Sequence, residues 1–436
     1  MFKNALIGFI FVSSLVIAID WYAWQGVRLL TSDWSLRSKS ILKWIYWSWT
    51  AAGFLFFLLF RMDLVHIPPA VLRIVSSIIF MVFFGKLFWC IFLLADDVLR
   101  IFRWIWSMIA VKPSEMAGEQ TEGISRLKFL SWVGMGVGAA FVGGSMWGIA
   151  RGAHNYTVRR RELPIKGLPK AFDGLKILQL TDIHSGSFWS REAVQRGVDM
   201  AIAEKPDLFI FTGDLVNDLA TEVEPYMEMF AKIKAPLGAY SILGNHDYAD
   251  YVVWDDFNAE QAKFQRKQMG FYRTPKQQAN LEKLIGYHKE MGWDILMNEN
   301  RVIEKDGEKL AIVGVENWSN KARFPKYGDL KKALKGLDEN LPKLLLSHDP
   351  SHWREQVLNK HSSVKATFSG HTHGFQFGVD SKFYRWSPVK FVYKEWIDLY
   401  TENEQHLYVN RGFGYLGYPG RLGIFPEIGV FTLKAV

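Results

Sequence analysis

Apolar residues follow two different rhythms along this chain. Up to about residue 150 they come in long runs, Asn4–Trp24, Ile41–Phe60, Val71–Leu94 and Phe129–Ile149. Each is long enough to supply the roughly 20 helical residues that cross a hydrocarbon core. Helices of soluble domains carry a polar stripe, and these runs carry none. Trp21, Tyr22, Trp24, Trp44 and Trp47 crowd the run ends, where aromatic belts form at membrane interfaces. About four transmembrane helices are therefore expected over residues 1–150. A cleaved signal segment does not fit, because three more spans follow the first. After the third run, Asp96–Met108 mixes Arg100 and Arg103 with Ile101, Phe102, Trp104, Ile105 and Trp106. That texture suits a helix lying in the interface, or a third span that continues out of the bilayer.

From Asn155 the rhythm shortens. Leu175–Leu180, Leu208–Phe211, Tyr240–Leu243, Leu310–Val315, Lys343–Leu346 and Ala366–Phe368 read as buried strands. Arg191–Ala203, Glu222–Lys234 and Ala259–Met291 read as helices, the last broken at Gly270 and Pro275. Alternating strands and helices predict a layered α/β domain. The expected organisation is a transmembrane region over 1–150, a short basic linker over 151–170 and a catalytic domain over 171–436.

Charge alters this picture in two places. The formal net charge of +8 suits nucleic acid, an anionic membrane surface or an anionic substrate equally well. Inside the spans, Asp20 and Lys86 lie at similar distances from the starts of the first and third runs. Those runs point the same way, so the two residues can pair at one depth; the alternative is Asp20 at the interface with Lys86 snorkelling. Gly134 and Gly138, then Gly144 and Gly148, form small-residue faces that permit close helix packing. The loops carrying Arg28, Arg37, Lys39 and Lys43, and then Arg100, Arg103, Lys112, Arg126 and Lys128, outweigh Lys3, Arg61 and Arg73. That bias places both loops inside and the second half outside the cytoplasm, while Arg151, Arg159, Arg160 and Arg161 weigh the other way. The single cysteine, Cys90, excludes a disulfide framework and a cysteine-based zinc site.

The chemistry sits at the strand ends. Successive strands run into Asp182-Ile-His184, Gly213-Asp214 with Asn217 and Asp218, Gly244-Asn245-His246-Asp247, His348-Asp349 and Gly370-His371-Thr-His373. Carboxyl ends of strands are where α/β sheets bind ligands. In Asp-x-His and His-x-His, alternate residues of an extended segment project to one side. Imidazole with carboxylate suits Mn, Fe, Zn or Ni rather than Mg or Ca. Any one of these elements alone is commonly a turn or cap; five in order are not. His66, His154, His288, His352, His361 and His406 fall outside the set and read as ordinary surface or packing residues.

This ordered set resembles the blocks of the calcineurin-like metallophosphoesterase superfamily, from about residue 155 to the C-terminus. The resemblance implies a four-layer α/β/β/α sandwich. It implies that Asp182, His184 and His373 hold one divalent transition metal, and that Asn245, His348 and His371 hold a second. Asp214 would bridge the two, with Mn first and Fe, Zn or Ni also compatible. His246 would be the catalytic imidazole, with Asp247 to orient it. The preceding spans, and the ending Tyr408-Val-Asn-Arg-Gly412 with Pro426-Glu-Ile428, resemble the membrane-anchored branch. Some of its members are pyrophosphatases acting on UDP-diacylglucosamine in lipid A synthesis, which implies a bacterial inner-membrane location. Phe375 stands where many relatives have glycine or methionine, so it is a candidate for substrate choice.

Two divalent ions roughly 3.5–4 Å apart acidify a bridging water, and the resulting hydroxide can attack phosphorus in line. Arg411 and Arg421, in a glycine-rich stretch, are candidates for gripping a substrate phosphate; packing against the preceding strand is the alternative. The expected function is cleavage of a phosphodiester or pyrophosphate bond in a lipid-linked substrate. A nuclease or cyclic-nucleotide phosphodiesterase, and a non-catalytic scaffold, are the alternatives. A scaffold is expected to have lost ligands. Late aromatic residues suit a lipid as well as a base, and four spans make nucleic acid the less expected partner.

Overall fold

The long apolar runs form the helices α1 (Phe2–Leu30), α2 (Leu36–Arg61), α3 (Pro69–Ile109) and α4 (Arg126–Ala150). The computed structural model describes residues 2–61, 69–109, 126–262 and 271–436. They divide into two units, Met1–Trp147 and Gly148–Val436. Among the described residues, Leu36–Leu59, Val71–Met108 and Arg126–His154 are long and apolar enough to cross a membrane. Three of the four expected spans are thus found among the described residues, and α1 is a further helix of 29 residues. At 1.5 Å per residue, the 41 residues of α3 extend about 60 Å, twice a hydrocarbon core. Asp96–Met108 is thus the outward continuation of the third span and not a separate interfacial helix.

Asp20 and Lys86 do meet. Lys86 Nζ lies 2.7 Å from Asp20 Oδ1, and Asp20 is buried. Thr50 donates to the other carboxylate oxygen, and Tyr46 Oη donates to the Asp20 carbonyl at 2.8 Å. The ammonium also sits 4.4 Å from the centre of the Tyr46 ring. One ion pair thereby ties α1, α2 and α3 together. Gly138 approaches the α3 backbone at Gly85 so closely that a Cβ there would strike a carbonyl oxygen. Removing one partner of a buried pair strands the other charge at a cost of about 3–5 kcal/mol, whereas removing both is far milder. Lys86→Met should therefore sharply lower the melting temperature of the detergent-purified protein, and Asp20→Asn combined with Lys86→Met should recover most of it. Equal losses in single and double variants would mean that the pair does not organise the helices.

In the second unit every strand read from the sequence is present. One six-stranded sheet has the order β1 (Thr157–Ile165), β14 (Glu427–Ala435), β2 (Lys176–Leu180), β3 (Leu208–Thr212), β4 (Ala239–Ile242), β5 (Asp294–Ile295). The other runs β12 (Asp398–Glu402), β13 (Gln405–Val409), β9 (Val364–Ser369), β8 (Lys343–Leu346), β7 (Glu308–Gly314), β6 (Glu299–Lys305), while β10 (Val379–Asp380) and β11 (Arg385–Trp386) pair in a separate ribbon. Successive side chains alternate between the faces of a strand. Ile177, Leu208, Ile210 and Phe431 accordingly meet Ile312, Leu344, Leu346 and Phe368 between the sheets. Leu178, Phe209 and Phe211 face outward under α5 (Arg191–Ala203) and the helix Pro275–Glu290. Val313, Leu345 and Leu407 face outward under Leu330, Ala333, Trp353 and Val357. Both faces of both sheets are covered, which gives the four-layer α/β/β/α sandwich and explains the unbroken apolar runs.

Three expectations change. The stretch 151–170 is not a linker: its middle is β1, paired in parallel with β14 from Thr157↔Glu427 to Ile165↔Ala435. Nor do Arg159, Arg160 and Arg161 form a free basic patch. Arg159 pairs with Asp380 at 2.7 Å, Arg161 with Asp398 at 2.9 Å and Arg160 with Glu204. The helix expected over Glu222–Lys234 is reduced to short turns, with one α-helical turn at Met227–Phe230, because Pro225 lacks the donor a continuous helix needs. Of the helix expected over Ala259–Met291, Pro275–Glu290 is observed and residues 263–270 lie outside the described residues.

Candidate metal centre

The segments after β2, β3, β4, β8 and β9 converge at one end of the two sheets. Alternation along extended strands does not bring their side chains together. Asp182, His184, Asp214, His371 and His373 all have left-handed backbone, with φ from 47° to 71°. Such conformations are costly for residues other than glycine, and they concentrate at functional sites. Each sharp turn aims its side chain inward just beyond the strand. Space is made by glycine: a Cβ on Gly370 would overlap the Asp182 carboxylate.

Two groups result. Asp182, His184 and His373 form the first; Asp214, His348 and His371 form the second. In the first, His184 Nε2 lies 3.1 Å from His373 Nε2, and His373 Nε2 lies 3.2 Å from Asp182 Oδ1. Asp214 Oδ2 stands between the groups, 3.5 Å from His184 Nε2 and 3.1 Å from His348 Nε2. Asn245 Oδ1 completes the second group, 2.7 Å from His371 Nδ1. Ligand atoms about 2.0–2.2 Å from a tetrahedral ion lie roughly 3.3–3.6 Å from each other. The spacings therefore fit ion-holding shells with little rearrangement. His348 Nε2 is buried, has no hydrogen-bond partner and points at the carboxylate, as a nitrogen reserved for an ion does.

Surrounding groups orient these ligands. His348 Nδ1 donates to the Thr212 carbonyl at 2.8 Å, which leaves Nε2 as the free nitrogen. His371 Nε2 meets Tyr393 Oη at 2.9 Å, and Tyr393 donates in turn to Asp349 Oδ2 at 2.9 Å. The carboxylates are held by backbone N–H groups: His371 N donates to Asp182 at 2.9 Å, and His246 N to Asp214 Oδ1 at 2.8 Å. Burial disfavours a charged His348, yet the Asp214 and Asp182 carboxylates push its pKa up to about 10.

The remaining candidates divide. His246 is half-buried beside the centre, its ring 5.0 Å from that of His184, and its Nδ1 donates to the Asn217 carbonyl at 2.7 Å. Asp247 does not orient it. The Asp247 carboxylate instead accepts backbone N–H bonds from Asp214, Leu215 and Gly244, each at 2.8 Å, and clamps two of the ligand-bearing turns together. The arginines are engaged within the protein, as in the packing alternative. Arg411 is fully buried and paired with Glu427 at 2.6 Å and Asp380 at 3.0 Å. Arg421 is equally buried; it donates to the Gly414 carbonyl at 2.9 Å and reaches His373 Nδ1 at 3.1 Å, so it buttresses a ligand from behind. Phe375 is 58% exposed, two residues beyond His373. Sequence reasoning gave no role to Tyr393 or to the main chain of Asn217. Tyr393 stood in the late aromatic cluster without a role, and Asn217 acts through its main chain, which no residue type betrays.

Fold and ligand geometry define the class: a metallophosphoesterase-type α/β sandwich behind a helical membrane region. The sequence matches the calcineurin-like phosphoesterase family over residues 175–375. Residues 5–153 match a second family, described as a probable calcineurin-like phosphoesterase transmembrane domain. The chain belongs to the calcineurin-like metallophosphoesterases, in the branch with a transmembrane domain ahead of the phosphoesterase domain. It is 27% identical over 297 residues to a transmembrane protein with metallophosphoesterase domain from Danio rerio, covering 66% of this chain and 60% of that protein. The uncharacterized metallophosphoesterase YkuE of Bacillus subtilis is 29% identical, covering 72% of this chain and 98% of its own. The UDP-2,3-diacylglucosamine pyrophosphatase LpxG of Chlamydia trachomatis is 29% identical, covering 57% of this chain and 81% of its own.

Proposed function

We propose that this protein hydrolyses a phosphodiester or pyrophosphate bond of a lipid-linked substrate at a centre of two divalent transition-metal ions. The observation that carries the reading is the sharing of Asp214 Oδ2 between two buried ligand groups. Asp182, His184 and His373 would hold one ion, Asn245, His348 and His371 the other, and Asp214 both. When bound, such a pair acidifies water and neutralises charge on phosphoryl oxygens. The chain's own part is positional. With Nδ1 committed to the Asn217 carbonyl, His246 has Nε2 free, and from its half-buried position that nitrogen can pass a proton to the leaving oxygen. Tyr393 and Asp349 hold the His371 ring in one orientation.

The lipid-linked part of the proposal rests on the membrane helices and on what the Chlamydia trachomatis relative is named for. A site tethered to a bilayer meets membrane-bound phosphates at high effective concentration. The full-length protein in Mn-containing vesicles should therefore cleave a lipid-linked diphosphate at least tenfold faster than its water-soluble head group. Equal rates would remove the lipid from the proposal. The loop charges support a site outside the cytoplasm; intact cells should then turn over an impermeant substrate, and turnover only after lysis would reverse that orientation.

A further inference from the structure

Several arginines of the second unit are paired with carboxylates: Arg161 with Asp398, Arg354 with Glu395, Arg385 with Asp380, Arg411 with Glu427. Arg323 has none. It is exposed, and among the described residues it makes neither an ion pair nor a hydrogen bond. Its guanidinium lies 4.4 Å from the centre of the Phe324 ring, and the edge of that ring meets the His371 imidazole, centroids 4.6 Å apart. An unpaired cation thus stands one aromatic ring away from a candidate metal ligand. Through Phe324, Arg323 lies on the His371 side of the centre. Lys321 stands beside it, its ammonium 5.4 Å from the centre of the Tyr393 ring.

The loop that presents both cations is built to hold still. Asn317 is fully buried; its side chain donates to the Pro325 carbonyl at 2.8 Å, and its own carbonyl accepts from Tyr327 N and Gly328 N. Asn320 N donates to Ser351 Oγ at 3.0 Å, and Phe324 N closes a turn on the Lys321 carbonyl at 3.1 Å. A rigid loop that sets a guanidinium free of protein carboxylates beside an anion-processing centre has the form of a substrate contact. Arginine's planar fork matches phosphate oxygens, and stacking on an aromatic face orients it while leaving its donors free.

We propose that Arg323, assisted by Lys321, is a subsite for a second phosphoryl group of the substrate, next to the one held at the metal centre. The proposal rests on the reading of that centre as a phosphohydrolase site, and it selects diphosphate substrates over simple phosphodiesters. Two probes separate the claims: the non-hydrolysable α,β-methylene analogue of a nucleoside 5′-diphosphate, and the corresponding 5′-monophosphate. Both are titrated calorimetrically, with Mn in excess, into full-length detergent-purified protein. Arg323→Ala should weaken the diphosphate analogue tenfold or more and the monophosphate less than twofold, with metal content unchanged. Arg323→Lys should recover part of the loss, and Lys321→Ala should cost about threefold. Losses equal for the two probes, or no loss, would overturn the subsite while leaving the phosphohydrolase reading standing. Failure of the metal-loaded wild type to bind either probe would overturn the subsite, whereas absence of Mn-dependent phosphohydrolase activity in the same protein would overturn the reading it rests on.

Discussion

Replacing Asp214 by Asn should empty both ion positions and lower turnover by several orders of magnitude, with little change in the stability of the metal-free fold. The substitution keeps the shape of the side chain. Oδ1 can still accept the His246 N–H, now at 2.8 Å. The second oxygen is the one 3.1 Å from His348 Nε2 and 3.5 Å from His184 Nε2, and an amide puts N–H donors in its place. A donor repels a cation, and the shared charge is lost from both groups at once. Asp182→Asn touches one group, so it should spare part of the second ion's occupancy. Metal content by elemental analysis, beside melting curves in chelator, separates the two outcomes. Near-normal metal in Asp214→Asn would show that the groups do not share this carboxylate.

His246→Asn should do the reverse: full metal content, unchanged melting temperature and turnover about a hundredfold lower, as expected for a lost proton donor. Its neighbour gives the contrast. Asp247→Ala removes the acceptor for the N–H groups of Asp214, Leu215 and Gly244. A buried donor left without a partner costs about 1–3 kcal/mol. That variant should melt well below the wild type and bind metal poorly. If Asp247→Ala instead kept stability and metal while losing turnover, the orienting role expected from sequence would be correct and the clamp would not.

Central strands were legible in the sequence because both their faces are covered, so β3 and β8 read as nearly unbroken apolar runs. Edge strands were not. β1 carries Arg159, Arg160 and Arg161 in its middle, a pattern that looks like a linker until their carboxylate partners are seen across the fold. All seven candidate ligands were legible as residue types at strand ends, and the structure brings every one of them to the centre. The reason they converge was not legible, because left-handed turns at Asp182, His184 and Asp214 leave no signature in residue type. Arg411 and Arg421 show the limit most clearly. Glycines around them suggest an anion grip, but Glu427 is 16 residues from Arg411 and Asp380 is 31, and only the fold reveals those pairs.

The shared-carboxylate centre is the claim on which the rest depends. Its most direct test is the metal stoichiometry of the full-length protein purified from Mn-supplemented cells, measured by elemental analysis against quantitative amino-acid analysis. The account predicts two ions per wild-type chain, two in His246→Asn and fewer than one in Asp214→Asn. A wild-type protein that holds a single ion or none, or an Asp214→Asn protein that still holds two, would contradict it.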